Sequence, residues 1–238
     1  MIGLLVTSMA GLTACDSEDE ATAEAPEEET QALEEAPEAE EEEEAHEEGA
    51  AAAEEYPDEP TIGMLAPDFT LVDETGESFT LSELRGQTVV LEWFNIPCPF
   101  VVRHYREGTF ERLHQEFGGE DFQWLAIDTT WNNTPEDSIA WKAEANENRE
   151  IDYPILQDPS GEVGRLYNAK TTPHMFVIDP DGILRYMGAI DDDPRGRKDV
   201  EERTNYVHAA LTAMAAGEEV ETAETEPYGC TVKYEGVD

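Results

Sequence analysis

Positive charge is what this sequence has least of. Its 238 residues hold 14 Lys plus Arg against 57 Asp plus Glu, a formal net charge of −43. The first 60 residues carry 22 of those acids and no Lys or Arg, and the first basic residue is Arg85. Nucleic-acid phosphates are held by a Lys/Arg surplus, so the balance argues against a nucleic-acid partner. It argues equally against an electrostatic dock onto anionic lipid. No apolar run reaches the ~18 residues of a membrane-spanning helix. No GxGxxG or GxxxxGK[ST] pattern occurs, so no nucleotide or other cofactor is expected. His104 and His114 are ten positions apart, off a common helical face, and no Cys/His cluster has zinc spacing, so no metal is expected either. Cysteine is scarce: Cys15, Cys98 and Cys230 are the three present.

The front of the chain reads as a targeting segment and a tether. Ile2 to Leu12 is a short apolar stretch of the length of a secretory h-region. Leu12-Thr13-Ala14-Cys15 resembles the lipobox of bacterial lipoprotein signals, although no Lys or Arg precedes the apolar stretch. The resemblance implies that residues 1–15 are a signal peptide ending at the lipid-bearing Cys15. That would anchor the protein in the cell envelope, facing the periplasm or the exterior. Residues 16–60 are mostly Glu, Ala, Asp, Pro and Thr. Such a stretch buries too little apolar surface to offset its ordering entropy, and its charges repel. It is expected to be an extended, disordered linker, with His46 incidental.

Residues 61–238 are long enough for one well-buried core. Thr88–Phe94 is a near-continuous apolar run, as in a strand covered on both faces. Phe100–Phe117 places Val101, Tyr105, Phe110, Leu113 and Phe117 at roughly helical spacing. Phe122–Ile127 reads as a strand and Ser138–Asn148 as a helix, with Thr134 as N-cap and Pro135 at the first helical position. Met175–Ile178 and Ile183–Met187 read as strands joined by the turn Asp179-Pro180-Asp181-Gly182. Val200–Ala216 is a last helix ended by Gly217. The order β-α-β-α-β-β-α implies a layered α/β domain.

That order matches a thioredoxin-like fold, a central mixed sheet with flanking helices. Ile62-Gly63-Met64-Leu65-Ala66-Pro67-Asp68-Phe69-Thr70-Leu71 resembles the opening of the redoxin and AhpC/TSA (alkyl hydroperoxide reductase, thiol-specific antioxidant) families. So do Phe79–Gly86 with the strand Val89-Val90-Leu91, Cys98-Pro99 at a strand-to-helix junction, and Thr172-Pro173 before Phe176-Val177-Ile178-Asp179. Tyr228-Gly229-Cys230-Thr231-Val232-Lys233-Tyr234 looks like the tail of an extracytoplasmic redoxin subgroup. The implied chemistry is thiol–disulfide exchange or peroxide reduction, with a thiol redox protein or a peroxide as partner.

Cys98 is the strongest candidate for chemistry. A position at a helix N-terminus favours the thiolate, which is the form that attacks a disulfide or a peroxide. The active-site pattern departs from both relatives. The position that completes a thioredoxin Cys-x-x-Cys is Val101, and the position of the peroxiredoxin Thr or Ser is Asn95. Cys230 is the other Cys left once Cys15 is lipidated. An even pair in an extracytoplasmic domain suggests a disulfide between Cys98 and Cys230, catalytic or structural, with two free thiols as the alternative. A structural bridge would make the domain a non-catalytic binding module. Glu92, six residues before Cys98, matches a buried acid that relays protons in thioredoxins; burial would raise its pKa. Pro97, Pro99, Asn95 and the Thr172-Pro173-His174 loop, with Pro173 cis by resemblance, would shape the site.

Overall fold

The protein is described by a computed structural model covering residues 55–147 and 151–236. The signal-like segment, Cys15, His46 and the acidic stretch up to residue 54 lie outside the described residues. The elements in chain order are β1 (Thr70–Val72), β2 (Ser78–Thr80), β3 (Thr88–Phe94), α1 (Pro99–Arg106), α2 (Thr109–Phe117) and β4 (Phe122–Asp128). There follow α3 (Pro135–Ala145), β5 (Ile155–Gln157), α4 (Glu162–Leu166), β6 (Thr171–Thr172), β7 (Met175–Ile178), β8 (Leu184–Gly188), α5 (Tyr206–Ala216) and β9 (Cys230–Thr231).

Seven strands form one mixed sheet in the order β2-β1-β5-β4-β3-β7-β8. β3, β4 and β5 run parallel, while β7 lies antiparallel to β3. β3 lies inside the sheet, between β4 and β7, because it is apolar on both faces, and alternation sends its side chains to two separate cores. Val90 and Phe94 meet Val101, Tyr105, Phe110, Leu113, Val207 and Leu211 from α1, α2 and α5. Val89, Leu91 and Trp93 meet Leu81, Val163, Tyr167 and Phe176 on the opposite face. The expected α/β class and mixed sheet are both present.

Three expected elements differ. The single helix over 100–117 is two helices, because Gly108 stands between them at φ +65°, a left-handed conformation that glycine adopts without a Cβ penalty. The last helix begins at Tyr206 rather than Val200. Val200–Glu202 forms a separate 3-10 turn, and Asn205 caps the helix by accepting the His208 N–H. Helix α3 starts at Pro135, where the N-cap reading puts it, but ends at Ala145 rather than Asn148. Its N-terminus carries a full capping box: the Thr134 hydroxyl accepts the Asp137 N–H and Asp137 accepts the Thr134 N–H.

Two features of this frame place the site. β3 ends at Phe94, and the loop Asn95–Cys98 turns directly into α1, with the Cys98 N–H donating to the Asn95 carbonyl at 3.1 Å. Beside it, β6 leads through a cis Thr172–Pro173 bond into β7. β6 has its own partner: β9, from the far end of the chain, pairs antiparallel with it, Thr172 opposite Cys230.

Candidate thiol site

Cys98 is the N-cap of α1, followed by Pro99 at the first helical position, where a missing N–H costs no hydrogen bond. Its side chain is nearly covered, 1% exposed, and its thiol donates to the Thr172 carbonyl at 3.0 Å. Cys230 lies against it as a second, partly exposed free thiol. Burial raises the Cys98 pKa, but contacts with the Cys230 thiol, the Thr172 hydroxyl and the N–H groups of Val101 and Cys230 outweigh it. The net shift is downward. Cys230 moves the other way, to about 11, through burial and its place beside Cys98. The pair is therefore asymmetric: Cys98 is the sulfur that ionises first, with the Cys230 thiol placed to donate to it. The Thr172 hydroxyl is itself buried and has no hydrogen-bond partner.

Glu92 points into the core on the α1 face and is fully buried. Its Oε2 accepts from Trp124 Nε1 at 3.1 Å and from the Tyr105 hydroxyl at 3.2 Å. The Tyr153 hydroxyl donates to that of Tyr105 at 2.8 Å. Glu92 Oε1 has no partner. Burial lifts the pKa to about 8; the Trp124 and Tyr105 hydrogen bonds oppose the rise, and a charge on Cys98 adds to it. At neutral pH this carboxyl holds its proton.

The remaining expected site residues divide into two sets. Pro97 and Pro99 are exposed on either side of Cys98. Asn95 is buried and donates its amide to the Thr130 hydroxyl, which ties the Cys98 loop to the end of β4. Thr172 and the cis Pro173 stand at the sulfur. His174 does not join them as a charge. Its ring is buried against Phe176, and burial, then Lys170, holds its pKa at about 3. It is a neutral packing residue whose carbonyl accepts the Trp93 N–H. Among the described residues no group of three His, Cys, Asp or Glu is placed to hold a metal.

The structure adds participants that the sequence reading did not assign. Tyr105 and Trp124 appear there as core residues, with nothing to show that their polar ends meet Glu92. The Tyr228 hydroxyl, two residues before Cys230, is met by Arg103 at 3.0 Å and by His104 Nε2 at 3.1 Å, and it donates to Asp191. The Tyr-Gly-Cys motif is a visible signal for the tail, but its partners on α1 and after β8 follow only from the fold.

The AhpC/TSA family model matches residues 62–187, from the N-terminal segment through β8. The chain belongs to the AhpC/TSA family. That match contains Cys98 and Glu92 and stops short of Cys230. The chain is 34% identical over 137 residues to Peroxiredoxin 2 of Thermoplasma acidophilum, an alignment covering 53% of this chain and 65% of the relative. It is 28% identical over 127 residues to the thiol-disulfide oxidoreductase ResA of Geobacillus kaustophilus, covering 52% of this chain and 67% of the relative. The chain thus spans less than two thirds of the first relative's length. Two solved structures follow it further. A hypothetical protein of Sinorhizobium meliloti superposes with a TM-score of 0.62 at 29% identity, covering 74% of this chain and 96% of that one. An uncharacterized conserved protein of Geobacillus kaustophilus gives 0.63 at 25% identity, covering 75% and 94%.

The buried acid has a consequence for stability. Between about pH 4.5 and 8 the folded protein keeps the Glu92 proton and the unfolded chain loses it, so this group's contribution to stability falls as pH rises through that window. Urea unfolding of wild type and Glu92→Gln across that range checks this. The stability of Glu92→Gln relative to wild type is expected to increase from pH 4.5 to 8, and a difference independent of pH contradicts a protonated Glu92.

Proposed function

We propose that the protein is an extracytoplasmic, lipid-anchored, thiol-dependent oxidoreductase acting through Cys98, with Cys230 as its resolving thiol. The observation that carries the reading is the meeting of Cys98 and Cys230 as unbonded thiols whose pKa values are pushed in opposite directions. A low-pKa thiol at a helix N-terminus is the nucleophile. A neighbouring thiol of higher pKa favours the nucleophile's anion and is at hand to displace whatever it picks up.

Cys98 attacks a peroxide oxygen or a disulfide sulfur. Cys230 then attacks the Cys98 sulfur, releasing water or the substrate thiol and closing a Cys98–Cys230 disulfide. Glu92, protonated near neutrality and sensitive to the charge on Cys98, is the acid/base group that exchanges the proton. Asn95, Pro97, Pro99, Thr172 and Pro173 shape the approach. A separate thiol redox protein reopens the disulfide. Membership of a family whose relatives are named for peroxide and for disulfide chemistry supports this reading.

The midpoint potential of the Cys98–Cys230 couple separates an enzyme from a scaffold. A value more positive than about −300 mV, with turnover lost in Cys98→Ser, is expected. A value well below it marks a permanent structural bridge and a non-catalytic module.

The envelope location rests on Leu12-Thr13-Ala14-Cys15. Radioactive palmitate fed to expressing cells is expected to label the wild-type chain and not Cys15→Ser; an unlabelled wild type rules the anchor out.

A further inference from the structure

The tail that carries Cys230 does more than deliver a thiol. Resting on the thiol-redox reading above, we infer that residues 228–232 are a fixed strap lying where a polypeptide substrate would have to lie. Cys98 consequently takes small oxidants of the hydroperoxide class, and Tyr228 and Gly229 are the residues that impose this choice.

The strand edge beside the Cys98 sulfur is that of Thr171–Thr172, and β9 already fills it. A disulfide within a polypeptide arrives with backbone on both sides of its sulfur. Both places are taken, the sulfur's by Cys230 and the backbone's by Cys230–Thr231. A hydroperoxide brings only two oxygens to the attack and needs no strand edge.

The strap is held at both ends. On one side the Tyr228 hydroxyl sits among Arg103, His104 and Asp191, and its ring packs against Phe100. On the other, Val232 is buried and its N–H donates to the Lys170 carbonyl at 3.2 Å, while the Tyr234 hydroxyl donates to the Ala169 carbonyl at 2.9 Å. Between them Gly229 stands at φ +151°, where a Cβ would lie 2.1 Å from the Thr172 carbonyl oxygen. Only glycine lets the tail come this close to β6.

The chemistry closes as follows. The Cys98 thiolate attacks the hydroperoxide: an S–O bond forms, the O–O bond breaks, the sulfur loses two electrons and the departing alkoxide takes up a proton. Cys230 then gives up its proton and attacks the resulting sulfenic acid: an S–S bond forms, the S–O bond breaks, and the departing hydroxide leaves as water with that proton. An external thiol reductant attacks Cys230, the more exposed sulfur, and expels Cys98 as the better leaving thiolate.

The test uses the full chain with two probes, hydrogen peroxide and a disulfide-bonded unfolded peptide. Cys98 oxidation is followed by mass spectrometry in wild type, Gly229→Val and the milder Tyr228→Phe. In wild type the peroxide is expected to react faster. In both variants the peptide-to-peroxide rate ratio is expected to rise by about tenfold or more. A wild type that takes the peptide as fast as peroxide, or a ratio unmoved in both variants, overturns the strap and leaves the thiol-redox reading standing. Cys98 inert to both probes in every chain overturns that reading itself, and the strap with it.

Discussion

The candidate site depends on one short strand pairing. Thr172 and Cys230 face each other across β6 and β9, and Cys98 reaches the same point from the end of β3. The three groups are far apart along the chain: Cys98 caps a helix, Thr172 precedes a cis-proline and Cys230 opens β9. Their convergence gives one thiol the contacts that favour its anion and leaves the other protonated. A single Cys at a helix N-terminus would feel only the dipole and the burial, which pull in opposite directions.

Burial beneath that pairing explains the acid. Glu92 occupies a strand position whose neighbours Val90 and Phe94 are core residues, and its two hydrogen bonds satisfy only one of its oxygens. A carboxylate so placed would be poorly solvated, so the proton stays. The same logic applied to His104 and His174 gives neutral imidazoles, both held near pKa 3 by burial. Glu92, His104 and His174 therefore leave the buried surroundings of Cys98 without charges of their own near neutrality.

Much of the frame was legible in the residue pattern. The apolar run Thr88–Phe94, the Thr134-Pro135 start and the Gly217 stop are local signals, and each lies where the pattern puts it. The short strands β1, β2, β5, β6 and β9 were not read as strands, because two- and three-residue strands carry too few positions for a period to show. The break at Gly108 was missed because apolar spacing continues across it. At the site, Cys98 and Cys230 are legible from type and position, and Glu92 and Thr172 from the family resemblance. Their mutual geometry was not readable, since pairing over so many residues is set by the fold. His174 looked like a neighbour of the sulfur in sequence, yet its side chain turns to Phe176. The Tyr228 cluster was hidden because Arg103 and Asp191 are far from it along the chain.

The central claim is that the pair is asymmetric, with Cys98 ionising first because Cys230 and Thr172 stabilise its anion. The direct measurement is the pH dependence of alkylation at each cysteine, resolved by peptide mass spectrometry in the reduced full chain. The account predicts a midpoint for Cys98 below the ordinary ~8.5 of a free cysteine and a midpoint for Cys230 well above it. Coincident midpoints, or Cys230 ionising first, would contradict it.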